Sequence, residues 1–392
     1  MKIYTLLQIS TKSFFNRKWT VGLIVFSIAI STMLLLGIEK IKIEVKNNFV
    51  SSVAGTDLII GARGSPTQLV LYSVFHLGRS TNNINQNTID YINNHKNVEW
   101  AIPISLGDTY KKFPVIATER IMFEKYKYDY DKHLSFKEGN VFDDDFEVVV
   151  GYKTGLKVGD IINLSHGRGE QTHKEKFKVV GILAISGTPI DTSLIITLNA
   201  MDIIHAGYLP KKRQITSMFI GLKEKRKIFS VQREFNSYKG EPLTAILPGA
   251  TIEEMWSTLN IFEKALILIS SVTTISSLMG LSATVLAGLN ERKREITILR
   301  VLGANPLDIC FLISIEVMFV ILCGIMFGVL CLYLSIFAFS SSILIKYGIR
   351  IGISALTLNE YLLLLKIFAS GVLLSLIPSI KAYSIGLRSG LK

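Results

Sequence analysis

The chain has 392 residues, 49% of them hydrophobic and 19% charged, with a mean hydropathy of +0.40. A chain this long and this apolar is not soluble throughout, which excludes an ordinary cytosolic enzyme. Lys and Arg number 43 against 31 acids, a formal charge of +12, yet the stretch from Glu39 to Asn260 holds 28 basic and 25 acidic residues and so supplies only +3 of it. The remaining +9 flanks apolar segments, as in membrane proteins. No basic stripe interleaved with aromatic residues offers a nucleic-acid groove, so no nucleic-acid partner is expected.

In chain order, residues 1–18 form a short arm carrying Lys2, Lys12, Arg17 and Lys18. Residues 19–38 are free of charge, and a stretch of that length crosses a hydrocarbon core. This first span has no small-residue cleavage site and runs directly into Glu39 and Lys40, which makes it an uncleaved anchor. Residues 39–260 are expected to fold as an α+β domain of their own. Strands are predicted at 146–150, 161–164, 177–183 and 194–197, where Val and Ile are dense and Gly, Asp or Ser bound each run. Helices are predicted at 88–94 and 200–206. The segment 39–49 stays open between a strand and a helix that prolongs the first span, because its apolar residues alternate while its charges suit either form. Within the glycine-dense stretch 55–84, Gly61, Gly64 and Pro66 point to a defined turn that exposes Arg63. A structural turn is the simpler reading, and a contact loop for cargo or an outer partner the sharper one.

A second span is expected at 265–289, crowded with Ser, Thr and Gly, which let helices approach closely in lipid. A third, at 309–340, carries one charge, Glu316, and a GxxxG spacing at Gly324 and Gly328. A short outer loop at 341–360 precedes the fourth span, 361–382, which contains Lys366 and Pro378, and residues 383–392 close the chain. Lys and Arg gather at the N-terminus, between residues 292 and 300, and after residue 380. The positive-inside rule therefore puts both termini and the 290–308 connection in the cytoplasm, with residues 39–260 outside.

No phosphate-binding loop, zinc-peptidase helix or nucleophile elbow is present, so the chain is expected not to be an enzyme. The three cysteines, Cys310, Cys323 and Cys331, share one apolar stretch and offer neither a disulfide framework nor a metal knuckle. His166 and His173 flank a polar hexapeptide and need a third ligand from elsewhere in the chain to gather a metal, so no metal site is expected. The connection between the second and third spans carries more information. Ile296, Leu299 and Leu302 recur at helical spacing against Glu291, Arg292, Glu295 and Arg300, and Gly303 and Pro306 supply a stop. This pattern predicts a short amphipathic helix on the cytoplasmic side.

The same run, E-R-K-R-E-I-T-I-L-R-V-L-G-A from Glu291 to Ala304, resembles the cytoplasmic signature of the FtsX-like permeases of ABC transporters, the group that includes MacB, LolC and LolE. The likeness extends through Glu316, Gly324 and Gly328 to Pro378, Ala382 and Leu391. Val149-Val150-Gly151, Gly159-Asp160 and the run from Phe177 to Leu183 are similar to the MacB-like periplasmic core domain. The resemblance implies four transmembrane α-helices with a large α+β extracytoplasmic domain inserted between the first and second, in a bacterial inner membrane. It further implies a permease subunit that pairs with a second permease, as a homodimer or heterodimer, and works with a separate ABC ATPase dimer that binds the ATP and Mg; this chain then has no cofactor of its own. Glu291, Arg292, Arg294, Glu295, Ile296, Arg300 and Gly303 would contact or shape the ATPase interface, while Gly324 and Gly328 would pack helices. The implied activity is mechanotransmission that exports or extracts an amphiphilic substrate (lipoprotein, lipid, peptide or drug), with membrane lipid and a periplasmic carrier or outer-membrane component as further partners. The alternative within the family is a non-transporting relay that activates a periplasmic partner such as a cell-wall hydrolase.

Overall fold

The computed structural model describes residues 18–78, 80, 82–129, 131–166, 172–206, 213–291, 293–301, 303–347 and 351–388. The chain divides into two compact units, one of residues 1–43, 261–340 and 351–392 and one of residues 44–260 and 341–350. Ten α-helices are described: α1 (Lys18–Ser51), α2 (Pro66–Ser73), α3 (Gln86–Asn93), α4 (Ile121–Lys125), α5 (Leu198–Ala206), α6 (Ile228–Asn236), α7 (Pro248–Glu291), α8 (Lys293–Val301), α9 (Pro306–Tyr347) and α10 (Leu358–Arg388). Four of them, α1, α7, α9 and α10, are long and apolar enough to cross a membrane. The segment 39–49, which the sequence leaves open, is helical and belongs to α1. Each of the four long helices runs past the apolar stretch that predicts it, because helical backbone hydrogen bonding continues through the first charged residues while the hydropathy stops at them.

The helical unit has its own apolar core, formed by Ile28 of α1, Leu278, Leu281 and Leu289 of α7, Ile309, Ile313, Val317, Val320, Ile321 and Ile325 of α9, and Ile367 and Ala382 of α10. Large apolar residues on the opposite faces, such as Leu23, Phe26, Leu268, Phe337 and Leu373, are exposed, as lipid-facing residues are. Pro378 lies inside α10 and has no amide hydrogen for the carbonyl of Leu374, four residues earlier. Ser282 of α7 donates its hydroxyl to that carbonyl at 3.3 Å, so a neighbouring helix satisfies the group the proline frees. Ser314 and Ser379 join α9 to α10 at 2.9 Å in the same manner. At the start of α10, Thr357 and Glu360 form a reciprocal cap, the Thr357 amide donating to the Glu360 carboxylate at 2.6 Å and the Glu360 amide to the Thr357 hydroxyl at 3.3 Å.

The other unit is built on one mixed sheet of ten described strands: β1 (Leu58–Ala62), β2 (Val98–Tyr110), β3 (Phe113–Thr118), β4 (Phe136–Gly139), β5 (Glu147–Val150), β6 (Ile161–His166), β7 (Thr172–Leu183), β8 (Leu194–Thr197), β9 (Ser217–Leu222) and β10 (Leu243–Ile246). The order is β10-β1-β9-β2-β3-β8-β5-β7-β4, with β6 paired to both β7 and β2. The β8–β3 and β7–β5 pairs are parallel and the others antiparallel. Alternate side chains of one strand enter two different cores: Val148 and Val150 one, Val149 the other; Leu194 and Ile196 one, Ile195 the other. Both faces of the sheet are therefore covered, which is why these strands read as unbroken Val and Ile runs rather than an alternation with polar residues. Ile89 and Ile92 of α3, Met201 of α5 and Val231 and Phe235 of α6 cover the first face. Leu69 and Val70 of α2 and Met122 and Phe123 of α4 cover the second. Emptying one of these fully buried positions to Ala costs about 2–5 kcal/mol for a Leu or Ile.

Candidate functional site

The inter-span connection contains a short helix, α8, narrower than the 290–308 stretch expected, which packs against α10 within the helical unit. Ile296 supplies its anchor, buried in the same core as Leu289, Ile309 and Ala382. Arg300 stays partly exposed and donates from its guanidinium to the Ala304 carbonyl at 2.9 Å, which ties the end of the helix to the segment that follows it. Gly303 then holds φ at 91°, with no atom near the position its Cβ would take, so the left-handed backbone rather than crowding is what calls for glycine. Pro306 opens α9 immediately afterwards. Arg292 lies outside the described residues; Glu291, Arg294 and Glu295 lie on helical backbone at the end of α7 and on α8. Glu316 is half-buried on α9 and has an interaction partner.

Gly324 and Gly328 form one contact line between α9 and α1. A Cβ at Gly324 would stand 2.7 Å from Cγ2 of Ile28, and one at Gly328 would stand 2.7 Å from the carbonyl oxygen of Ala29 and 2.8 Å from Cβ of Thr32. The two glycines thus let the helix backbones meet, as the GxxxG spacing implies. The Gly61–Pro66 stretch divides differently from the single turn the sequence suggests. Gly61 is a strand residue of β1, where a Cβ would stand 2.5 Å from Leu69 and 2.9 Å from the Tyr72 hydroxyl, so it is there for packing. The turn is Arg63 to Ser65: the Arg63 amide donates to the Pro242 carbonyl at 3.0 Å and the Gly64 amide to the Thr244 hydroxyl at 3.0 Å. Pro66 is the first residue of α2, where its fixed φ suits the helix start. Arg63 is exposed, as expected.

Residues 267–387 match the family model of the FtsX-like permease C-terminal region. This stretch carries an FtsX-like permease domain. A 232-residue alignment at 24% identity relates the chain to an uncharacterised ABC transporter permease of Methanocaldococcus jannaschii, covering 55% of this chain and 50% of that protein. The chain thus spans about half the length of the curated relative it matches. Among solved structures, the extracellular domain of the noncanonic ABC-type transporter YknZ from Gram-positive bacteria aligns over 49% of this chain and 99% of that one, at a TM-score of 0.31 and 13% identity. The permease domain begins within α7 and ends within α10, so it includes α8 and the two packing glycines of α9.

The sheet unit lies outside the permease-domain match and holds a cluster that sequence spacing misses. Asp108 of β2 is wholly buried, and three imidazoles surround it. Nδ1 of His166 and Nε2 of His205 each stand 3.3 Å from its Oδ1, and Nε2 of His173 stands 3.3 Å from its Oδ2. His166 at the end of β6 is the direct cross-strand partner of Asp108, and His173 is the second residue of β7 on the other arm of the same hairpin. His205 comes from the last turn of α5. A break in register between Leu106 and Thr109 in the β2–β3 pair brackets Asp108, and a bulge of that kind re-aims a side chain. The reason for expecting no metal site, the missing third ligand, is thereby removed: the fold brings His205 and Asp108 to the pair His166 and His173. Asp108 beside it raises the pKa of His205, while burial opposes the rise. The remaining histidines stand apart; His95 faces Glu234, and His76, desolvated by its surroundings, falls to about 4.

Proposed function

We propose that this chain is the membrane subunit of an ABC transporter in which a separate ATPase docks on α8 and drives movements of the outer sheet unit. The observation that carries the reading is a short charged helix set between two apolar helices of the FtsX-like permease domain and anchored by one buried residue, Ile296. Ile296 fixes α8 to the helical core, so a push on the charged residues of α8 reaches α9 and α10 through packed side chains rather than through a slack loop. The left-handed Gly303 and Pro306 make the exit from α8 a defined corner. In this reading Glu291, Arg292, Arg294, Glu295 and Arg300 form the charged docking face, both termini are cytoplasmic, and the sheet unit lies outside the cytoplasmic membrane. A second permease completes the transporter, and the cargo is an amphiphile such as a lipoprotein, lipid, peptide or drug.

The test is charge reversal at Arg292 and Arg294, each to Glu, with the permease reconstituted beside its ATPase. Rim charges act mainly on association, so reversal is expected to lower stimulation of ATP hydrolysis while insertion and thermal stability stay at wild-type level. Wild-type stimulation by the doubly reversed chain contradicts docking on α8. Intact ATPase coupling together with activation of a cell-wall hydrolase and no cargo movement favours the signal-relay form of the same machine.

A further inference from the structure

We infer that Asp108, His166, His173 and His205 form a zinc-binding clip in the sheet unit, a site independent of the ATPase reading above. The four groups come from three separate elements, β2, the β6–β7 hairpin and α5, and offer one oxygen and three nitrogens that all lie within 4.8 Å of one another. Zinc takes carboxylate oxygen and imidazole nitrogen at about 2.0–2.1 Å in a tetrahedron, which sets neighbouring ligand atoms about 3.3 Å apart. The closest separations here are 3.3 Å from Asp108 to each imidazole and 3.2 Å between Nδ1 of His166 and Nε2 of His205. Oδ1 of Asp108, Nδ1 of His166 and Nε2 of His205 are thus already spaced as one face of a zinc tetrahedron, and Nε2 of His173, against the other carboxylate oxygen, lies within 4.8 Å of them.

Hydrogen bonding accounts for only one contact in the cluster, between Nδ1 of His166 and Nε2 of His205. Neither carboxylate oxygen of Asp108 and not Nε2 of His173 has a hydrogen-bond partner of acceptable geometry among the described residues, although all three atoms are buried. A buried carboxylate left this way is costly, and a cation among the four atoms removes the cost. The outer contact of His205 points the same way. Its Nδ1 lies 3.0 Å from the Met201 carbonyl, which can only accept, so Nδ1 carries a proton and Nε2 is the nitrogen turned toward Asp108. A backbone carbonyl holding the far nitrogen is how metal-bound imidazoles are oriented. His166 is the most exposed of the four and gives an ion its way in from solvent, with 60% of its side chain accessible. Three imidazoles and one carboxylate match the donor preference of zinc rather than that of magnesium or calcium, which favour oxygen alone. With all four positions filled by protein, the ion joins the hairpin, β2 and α5 and leaves no open position for catalysis.

The experiment uses the full chain in detergent, purified without a histidine tag, stripped with a chelator and titrated separately with zinc chloride and cobalt chloride. Wild type should bind one zinc per chain, show the intense visible bands of tetrahedral cobalt, and unfold at a higher temperature when zinc is present. H166Q, at the exposed edge where the fold is spared, should bind zinc at least ~100-fold more weakly and lose the cobalt bands and the thermal shift. D108N should do the same, and H133Q, at an exposed histidine outside the cluster, should match wild type. If D108N fails to fold, H166Q alone decides. Absence of stoichiometric zinc in wild type, zinc affinity in H166Q equal to wild type, or the faint bands of octahedral cobalt would each overturn the site.

Discussion

Replacing Gly328 by Ala tests the packing of the helical unit at a point where the structure sets the magnitude. The added Cβ would stand 2.7 Å from the Ala29 carbonyl oxygen, 2.8 Å from Cβ of Thr32 and 3.2 Å from Cα of Ala29. Comfortable carbon contacts lie at about 3.5–4.0 Å, so α1 and α9 must separate by roughly 1 Å. Two of the three atoms are helix backbone and cannot rotate away. Overpacking of this kind costs about 1–3 kcal/mol, and the rigid neighbours put G328A near the upper end. G324A meets Cγ2 and Cβ of Ile28, a β-branched side chain with little rotamer freedom, and should cost about 1–2 kcal/mol. Gly280 of α7 has no atom within 4 Å of its Cβ position and serves as the control, with G280A expected to stay within about 0.5 kcal/mol of wild type. The three variants are compared by unfolding in mixed detergent micelles followed by tryptophan fluorescence. Equal stability of G328A and G280A refutes the close approach of α9 to α1.

Removing the hydroxyl in S282A leaves the Leu374 carbonyl, already freed by Pro378, without its donor, and should cost about 0.6 kcal/mol in the same assay, the usual worth of such a bond between membrane helices. A cost of zero places another donor at that carbonyl. Burial lowers the pKa of His76 to about 4 from 6.5, so the unfolded chain binds the extra proton first and stability present above pH 6.5 is lost as the pH falls toward 4. The loss is at most about 3 kcal/mol, because the residue keeps some solvent contact. H76N accepts the left-handed backbone there, φ 54°, and should flatten the stability profile between pH 6.5 and 4; an unchanged slope refutes the assignment. For topology, single cysteines at Asp131 and Lys381, introduced after Cys310, Cys323 and Cys331 are replaced by Ser, should react with an impermeant thiol reagent from opposite faces of the membrane. Labelling from one face overturns the proposed orientation.

The membrane helices are legible in the sequence because a run of uncharged residues has few other uses, and the buried strands 147–150 and 194–197 because sheets covered on both faces need unbroken Val and Ile. The inter-span helix is legible from Ile296, Leu299 and Leu302 at helical spacing, together with the Gly303 stop. The longest strand, β2, is not. Pro103 and Gly107 interrupt its pattern: Pro103 gives the ladder no amide hydrogen, although its carbonyl accepts from the Thr118 hydroxyl, and Gly107 lies in the register break between Leu106 and Thr109. The histidine cluster is hidden for a related reason. His166 and His173 stand at the two arms of one hairpin and so are visible as a pair, but Asp108 reaches them only through the β2–β6 register and His205 only through the packing of α5. Neither relation leaves a spacing in the sequence. Gly61 reads as a turn residue because glycine density alone does not separate a turn from a strand packed against a helix.

Gentle affinity purification of the chain from its own membranes, with the accompanying proteins and lipids identified by mass spectrometry, tests the central claim most directly. A subunit of a nucleotide-hydrolysing machine should come with the wild-type chain and be lost from the chain reversed at Arg292 and Arg294, while any second permease stays. Purification without an ATPase, under conditions that keep a control ABC complex intact, contradicts the coupling of this chain to ATP hydrolysis.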